Sequence, residues 1–592
     1  MVGWPAVSRP RKRSNSWFSL AGLALAGGVL LASCAPAAPE PIRVSPQVDQ
    51  AAVGQTVRTT GGVVVSQNEI ASRAGAAVLR AGGNAVDAAI ATGLALAVVH
   101  PTAGNIGGGG FMVIRFPDGS STAIDFREKA PLAAHPEMFV DENGEYSRQV
   151  QANSHLAVGV PGTVAGFALA HERYGRAEWA GIVQPSVTLA AEGIVLSEGL
   201  ARSLAGQVGG SMSRYPASVQ AFSKNGVPYA AGETWAQPDL AQALTRIMNE
   251  GRDGFYLGET ARLIATDMAA NGGMITEEDL AQYDAVEREP IRGTYKGYEI
   301  ISMPPPSSGG VALVQMLNIL EGFDLQSMGQ GTAPYFHHMA EAQRLAYRDR
   351  ARHLADSDFW PVPIEMLTSK DYAAELRAGI DPNRAGVSSI EQLEIPVESM
   401  ETTHYSAVDA DGLAVSVTYT LEAGYGSKIT VPGGGFLLNN EMGDFNGFPG
   451  ITTDGGQIGN EPNLARPEQR MLSSMTPTIL ARDGELVAVI GSPGGRTIIN
   501  TVLNVAMSIM EFGMDLEAAQ AAPRSHHQWL PDRLSIENRA DVSVVQALEA
   551  MGHTVNHGGG QGQVQAIMFD PATGMHVGVP DPRSSDAGAS IE

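Results

Sequence analysis

The chain has 592 residues and is 44% hydrophobic, enough to bury a large core, and its 69 glycines and 35 prolines are scattered, which signals many turns rather than low complexity. A formal net charge of −24 argues against binding to nucleic acid or other anionic surfaces. The only cysteine is Cys34, so no intrachain disulfide can form.

The chain opens on Arg9, Arg11, Lys12 and Arg13, followed by an apolar run over residues 17–31 and then Leu31-Ala32-Ser33-Cys34. That order predicts a secretory signal over residues 1–33, too short in its apolar part to favour a spanning helix. Residues 34–60, rich in Ala, Pro and Gln and without periodicity, read as a flexible tether. A first strand is expected over 61–66. A helix over 69–79 follows, with Asn68 as N-cap and Gly82-Gly83 as the stop, and then a helix over 84–100, apolar on every side and therefore buried.

The run Gly107-Gly108-Gly109-Gly110 is not a phosphate loop, because no Gly-Lys-Ser/Thr follows and a strand comes next. Close backbone packing beside a site suits it better. Asp125-Phe126-Arg127-Glu128 ends the next strand. Residues 135–380 read as mostly helical, clearest over 236–249, 259–271 and 335–355. His337-His338 and His526-His527 do not predict a metal site, since adjacent histidines on one element diverge and the sequence offers no third ligand at useful spacing.

After a loop-like stretch at 382–389 comes an extended segment over 402–409, with Thr402, Thr403, Tyr405 and Val408 favouring strand. Further strands are expected over 415–419, 435–439, 476–481 and 486–490. Helices follow over 497–512, 516–521 and 543–551, and a closing hairpin over 563–569 and 575–579. Strands packed under helices predict an α+β or layered α/β unit.

Three features carry a resemblance. They are Thr402-Thr403-His404, then Thr418-Tyr419-Thr420-Leu421-Glu422, then Tyr425-Gly426, with Asn439 to Phe445 beyond. The series resembles the small-subunit start of the gamma-glutamyltranspeptidases (glutathione hydrolases), and the likeness runs from about residue 61 to the end, including Asp581-Pro582-Arg583 near the C-terminus. It implies a four-layer αββα sandwich of the N-terminal-nucleophile hydrolase type. It also implies a precursor cut between Glu401 and Thr402 into a large subunit, 61–401, and a small catalytic subunit, 402–592, which stay together as a heterodimer. No metal or organic cofactor is implied. Leu31 to Cys34 separately resembles a bacterial lipobox. That implies lipid on Cys34 and anchoring in the cell envelope facing the periplasm, with Ala35 pointing to the outer membrane.

A threonine hydroxyl is a weak nucleophile and needs a base within reach. No Ser-His-Asp order or Gly-x-Ser-x-Gly elbow stands out. A freed α-amino group at Thr402, titrating near 7.7–8.0, would serve as that base, whereas in the uncut chain the same nitrogen is an amide. The resemblance makes Thr402 the nucleophile, Thr420 its hydrogen-bonding partner, and Gly494 and Gly495 the oxyanion donors. A γ-glutamyl donor carries an α-carboxylate and an α-ammonium. The resemblance assigns the first to Arg127 with Ser473 and Ser474, and the second to Glu422, Glu441 and Asp444. Three carboxylates around an empty site predict that at least one has a raised pKa or a serine or backbone partner.

Leu413 and Glu422 depart from the residues most common in the family at their positions. A lid over 445–471 has only Phe448 as an interior aromatic. The expected reaction is hydrolysis of glutathione and related γ-glutamyl amides, or transfer to amino acids and peptides. The competing readings are a cephalosporin or glutaryl acylase of the same superfamily and an inactive lipid-anchored binding protein.

Overall fold

The structure is a computed structural model and describes residues 42–389, 402–447 and 461–592. The signal segment, Cys34, Glu401 and Phe448 lie outside the described residues. The described residues fall in one unit, Pro41–Glu592.

Two seven-stranded sheets form its centre. From edge to edge the first runs Gly588–Ile591, Val63–Ser66, Thr403–Val408, Ala414–Thr420, Gly109–Arg115, Ser121–Phe126 and Val286–Arg288. The second runs Val57–Thr59, Met575–Val579, Ala566–Asp570, Glu485–Ile490, Thr478–Arg482, Tyr298–Ser302 and Ile291–Tyr295. Neighbouring strands are antiparallel throughout both sheets.

Strand alternation sorts the side chains into three apolar layers. Val63, Val65, Phe111 and Val113 face the second sheet and meet Ile301, Ile479, Val489 and Ile567 there. Their neighbours Val64, Met112 and Ile114 face the opposite way, onto the helices Glu69–Arg80 and Ala85–Val99. On the far side Leu480, Ala488 and Ile490 meet the helices Gly309–Leu320, Ala333–His353 and Thr497–Met510. Helix, sheet, sheet, helix is the expected αββα order.

Local expectations are met where the signals were strongest. Asn68 caps the first helix by accepting from Ile70 N, and Asn84 with Asp87 forms a capping box at the start of the second. All fifteen residues of Ala85–Val99 are buried, as its unbroken apolar surface required. Gly108 and Gly109 show why that run is glycine. A Cβ on Gly108 would stand 2.0 Å from the Thr420 carbonyl oxygen, and one on Gly109 2.6 Å from a Glu128 carboxylate oxygen.

Two expectations need correction. Residues 435–439 form no strand, only an isolated bridge between Thr430 and Leu437. The tether is shorter than composition suggested: Val48 is buried, and Val57–Thr59 pairs with Met575–Val579 at a sheet edge. Three residues without periodicity become a strand because the sheet edge supplies their hydrogen-bond partners.

Candidate active site

Thr403 pairs with Tyr419 and His404 with Thr418, so the antiparallel register sets Thr402 opposite Thr420 at the end of the ladder. Both threonines are buried. The Thr420 hydroxyl accepts a 2.9 Å hydrogen bond from Glu422 N, at the tight turn that follows the strand. Glu422 takes a φ of 79° there, unusual for a non-glycine residue.

The second sheet brings the turn Gly491 to Gly495. Gly494 and Gly495 have φ of 133° and 53°, and they precede the fourteen-residue helix Thr497–Met510. The Gly494 carbonyl is held by Thr497 N at 3.0 Å and Thr497 Oγ1 at 2.8 Å. The amide hydrogens of both glycines have no acceptor among the described residues. Two free N–H groups at a helix N-terminus suit a developing oxyanion. His404 ties this turn to the strand of Thr402. Its ring bonds Thr418 Oγ1 at 2.9 Å and Ser406 Oγ at 3.1 Å and fills the space a Cβ on Gly491 would take, 2.3 Å away. Burial lowers its pKa to about 3, so it is a neutral spacer between the sheets.

A small pocket is lined by Arg127, Thr402, Thr420, Glu422, Glu441, Asp444, Ser473, Ser474 and Gly495, which are nine of the ten expected catalytic and substrate-binding residues. The tenth, Gly494, lines a larger groove on the other side of Thr402. Arg127 Nη1 donates to Glu441 Oε1 at 2.6 Å, and Nη2 donates to Asp444 Oδ2 at 2.5 Å. Its guanidinium also reaches the carbonyls of Met471 and Leu472 at 3.3 Å. The residue expected to bind the carboxylate and two of those expected to bind the ammonium are therefore hydrogen-bonded to one another. Burial opposes the Arg127 charge, but Glu441, Asp444 and Glu128 outweigh it and raise its pKa.

The expected carboxyl shifts follow. Burial, reinforced by Asp444, lifts Glu422 to about 8 against the bond from Asn440. Burial also raises Glu441 well above the carboxylate range despite Arg127. Ser474 Oγ accepts from Arg350 at 3.0 Å, and Ser308 Oγ donates to the Ser473 carbonyl at 2.6 Å.

Sequence reasoning missed Glu128, Asn440, Ser308 and Arg350 as parts of this site. Glu128 is fully buried, 3.7 Å from Arg127, with no hydrogen bond to either oxygen among the described residues; burial lifts its pKa to about 8. Alternation along a strand would put neighbours 127 and 128 on opposite faces. The strand ends at Phe126, however, and both turn inward. Arg350 lies on a helix legible in sequence, but nothing there says that its last turns reach the serines.

A family model described as gamma-glutamyltranspeptidase matches residues 71–591. The glutathione hydrolase proenzyme of Escherichia coli (strain K12) is 46% identical over 564 residues, covering 95% of this chain and 96% of the relative. Among solved structures, a cephalosporin acylase from Bacillus halodurans superposes with a TM-score of 0.81 at 27% identity, covering 91% of this chain and 97% of its own. A chain of the gamma-glutamyltranspeptidase of Helicobacter pylori gives a TM-score of 0.52 at 45% identity, covering 53% of this chain and 90% of its own.

Proposed function

The chain belongs to the gamma-glutamyltranspeptidase family, and from that premise we propose how its pocket works as a γ-glutamyl hydrolase and transferase made as a proenzyme. The observation that carries this reading is the placement of Thr402. It lines both the pocket that holds both signs of charge and Gly495, and the groove that holds Gly494.

In the precursor the Thr402 hydroxyl attacks the Glu401 carbonyl, and water resolves the resulting ester. The cut frees the Thr402 amine. In the mature enzyme that amine takes the hydroxyl proton as Thr402 attacks the γ-carbonyl of glutathione. Gly494 and Gly495 N–H hold the oxyanion. The proton passes to the departing nitrogen, cysteinylglycine leaves, and a γ-glutamyl ester of Thr402 remains. Water or an amine then attacks the ester with the same amine as base, which gives glutamate or a new γ-glutamyl amide. Arg127 with Ser473 and Ser474 meets the substrate α-carboxylate. Glu441, Asp444 and Glu422 meet its α-ammonium.

The likeness to a cephalosporin acylase keeps the glutaryl reading in view, but a glutaryl group brings no cation to four buried carboxylates. The two pieces stay associated because strands from both sides of residue 402 are hydrogen-bonded neighbours in both sheets, so separation would open each one.

Intact mass and N-terminal sequencing test the reading. Protein expressed from about residue 35 should yield a small subunit beginning Thr-Thr-His-Tyr, and Thr402→Ala should remain a single inactive chain. A parent chain that folds but stays uncut would sink it.

The lipid anchor is a further part of the proposal, and Leu31-Ala32-Ser33-Cys34 supports it. Among the described residues no helix is long and apolar enough to cross a membrane. With acyl chains on Cys34, mature protein would partition with the bacterial envelope and Cys34→Ala would not. Equal partitioning of the two would refute the anchor.

A further inference from the structure

Outside the pocket and the groove that Thr402 lines, three side chains that the reaction does not use converge. His337, Glu341 and His553 each offer a ligand atom, and the three atoms lie within 4.8 Å of one another. His337 and Glu341 are four residues apart on the helix Ala333–His353 and so share one face. His553 follows the helix Val542–Ala550, which packs beside it. All three residues are buried.

We propose that these residues form a binding site for a divalent transition-metal ion, with zinc as its natural occupant. Its place in the fold lets it clamp the region before Thr402 to the region after it. Two imidazoles and a carboxylate are the ligand types zinc takes in three-residue sites. His337 is already oriented as a ligand. Its Nε2–H donates to the Asp381 carbonyl at 2.8 Å, which fixes the tautomer and leaves the Nδ1 lone pair facing His553.

Among the described residues Glu341 has only long bonds, 3.3 and 3.4 Å, to Arg344. That arginine is engaged more closely by Asp532 and by Ser388 at 2.6 Å, so the carboxylate is weakly held for a buried charge. His337 Nδ1 and His553 Nε2 now stand 2.9 Å apart and share a hydrogen bond. Zinc with bonds of about 2.0–2.1 Å in a tetrahedron separates two ligand nitrogens by about 3.3 Å. Opening the pair by about 0.4 Å admits the ion, and the shared proton moves to His553 Nδ1. No fourth protein ligand stands there among the described residues, so the remaining position takes water.

The clamp has a direction. Asp381, which holds His337, and Gly386, whose added Cβ would lie 2.7 Å from Glu341, belong to the last described stretch before Thr402. His553 belongs to the part that follows. His337 is about 20 Å along its helix from Arg350, at 1.5 Å per residue, and none of the three side chains lines the pocket or the groove beside Thr402.

Purified full-length processed protein, treated with chelator and desalted, is titrated with zinc in a calorimeter and with cobalt in an absorption cell. One equivalent should bind, a cobalt band of a low-coordinate nitrogen and oxygen site should appear, and melting should move up by several degrees. His553→Gln and the milder Glu341→Gln should lose the band and the melting shift, while His557→Gln, at an exposed position outside the cluster, should keep both. Absence of a bound equivalent in the parent, or binding and a cobalt band undiminished in Glu341→Gln and His553→Gln, would overturn the assignment.

Discussion

Thr402 separates two spaces of opposite character. On one side is a small pocket walled by Arg127, Glu422, Glu441 and Asp444, all buried. On the other is a wide groove lined mostly by neutral polar groups such as Gln528, Asn556, Gln561 and Gln563, with Arg533, Arg583 and Asp586 as its charged residues, none of them fully buried. A buried charge is held only by a matching one, so the first wall can reject a ligand that fails to match. The groove lets water satisfy its polar groups and cannot discriminate as strongly. In the proposed reaction the γ-glutamyl group enters the pocket and the leaving amine or acceptor lies in the groove. Strict donor choice with loose acceptor choice is the consequence.

The sharpest way to break this contrast is at Arg127. Arg127→Ala removes the cation that two carboxylates share, leaving them buried and unpaired. A fall in kcat/KM for glutathione of about 10³-fold is expected, with a lowered melting temperature; less than tenfold would mean that the pocket charges do not choose the donor.

Removing the substrate's own charge should act nearly as strongly. A glutaryl anilide, lacking the α-ammonium, should be turned over about 10³-fold less efficiently than the γ-glutamyl anilide, and near parity would favour the acylase reading.

A smaller effect concerns stability. Glu422 titrates near 4.3 when unfolded and at about 8 in the pocket. The folded chain therefore binds this proton more tightly, and stability is lost as pH rises from about 4.3 through about 8. Glu422→Gln should be more stable than the parent by about 1–3 kcal/mol at pH 8.5, a gain that vanishes near pH 4; denaturant melts at the two pH values decide it. In the groove, Arg533→Ala should change kcat/KM for glutathione by less than about threefold, as expected of an exposed charge. A loss as large as that of Arg127→Ala would erase the distinction between the two sides.

What could be read in advance divides along the same line. The helix Ala85–Val99, the strands around Thr402 and the glycine run were legible because each rests on local periodicity, capping or backbone space. The site residues were named only through the ordered series of short motifs, and the pocket brings those residues together. Their pairing was not legible, because Arg127 meets Glu441 across 314 positions and Asp444 across 317. Glu128 was hidden by an alternation rule that stops where its strand stops. The edge strand Val57–Thr59 was hidden because its partner lies at the other end of the chain. The metal reading turned on the same point. The paired histidines do diverge, with His337 and His338 ring planes 85° apart, yet a helical i,i+4 glutamate and a distant His553 meet one of them.

The sequence by itself determined a layered unit of strands under helices and a threonine at the head of a strand, since periodicity and strand propensity are written locally; only the family resemblance marked that threonine as the expected nucleophile. Only the tertiary structure decided which charged groups meet, which carboxyls are pushed above their ordinary range, and which polar side chains beside Thr402 are buried. Those properties depend on distance and burial, and both arise only when segments hundreds of residues apart are packed together.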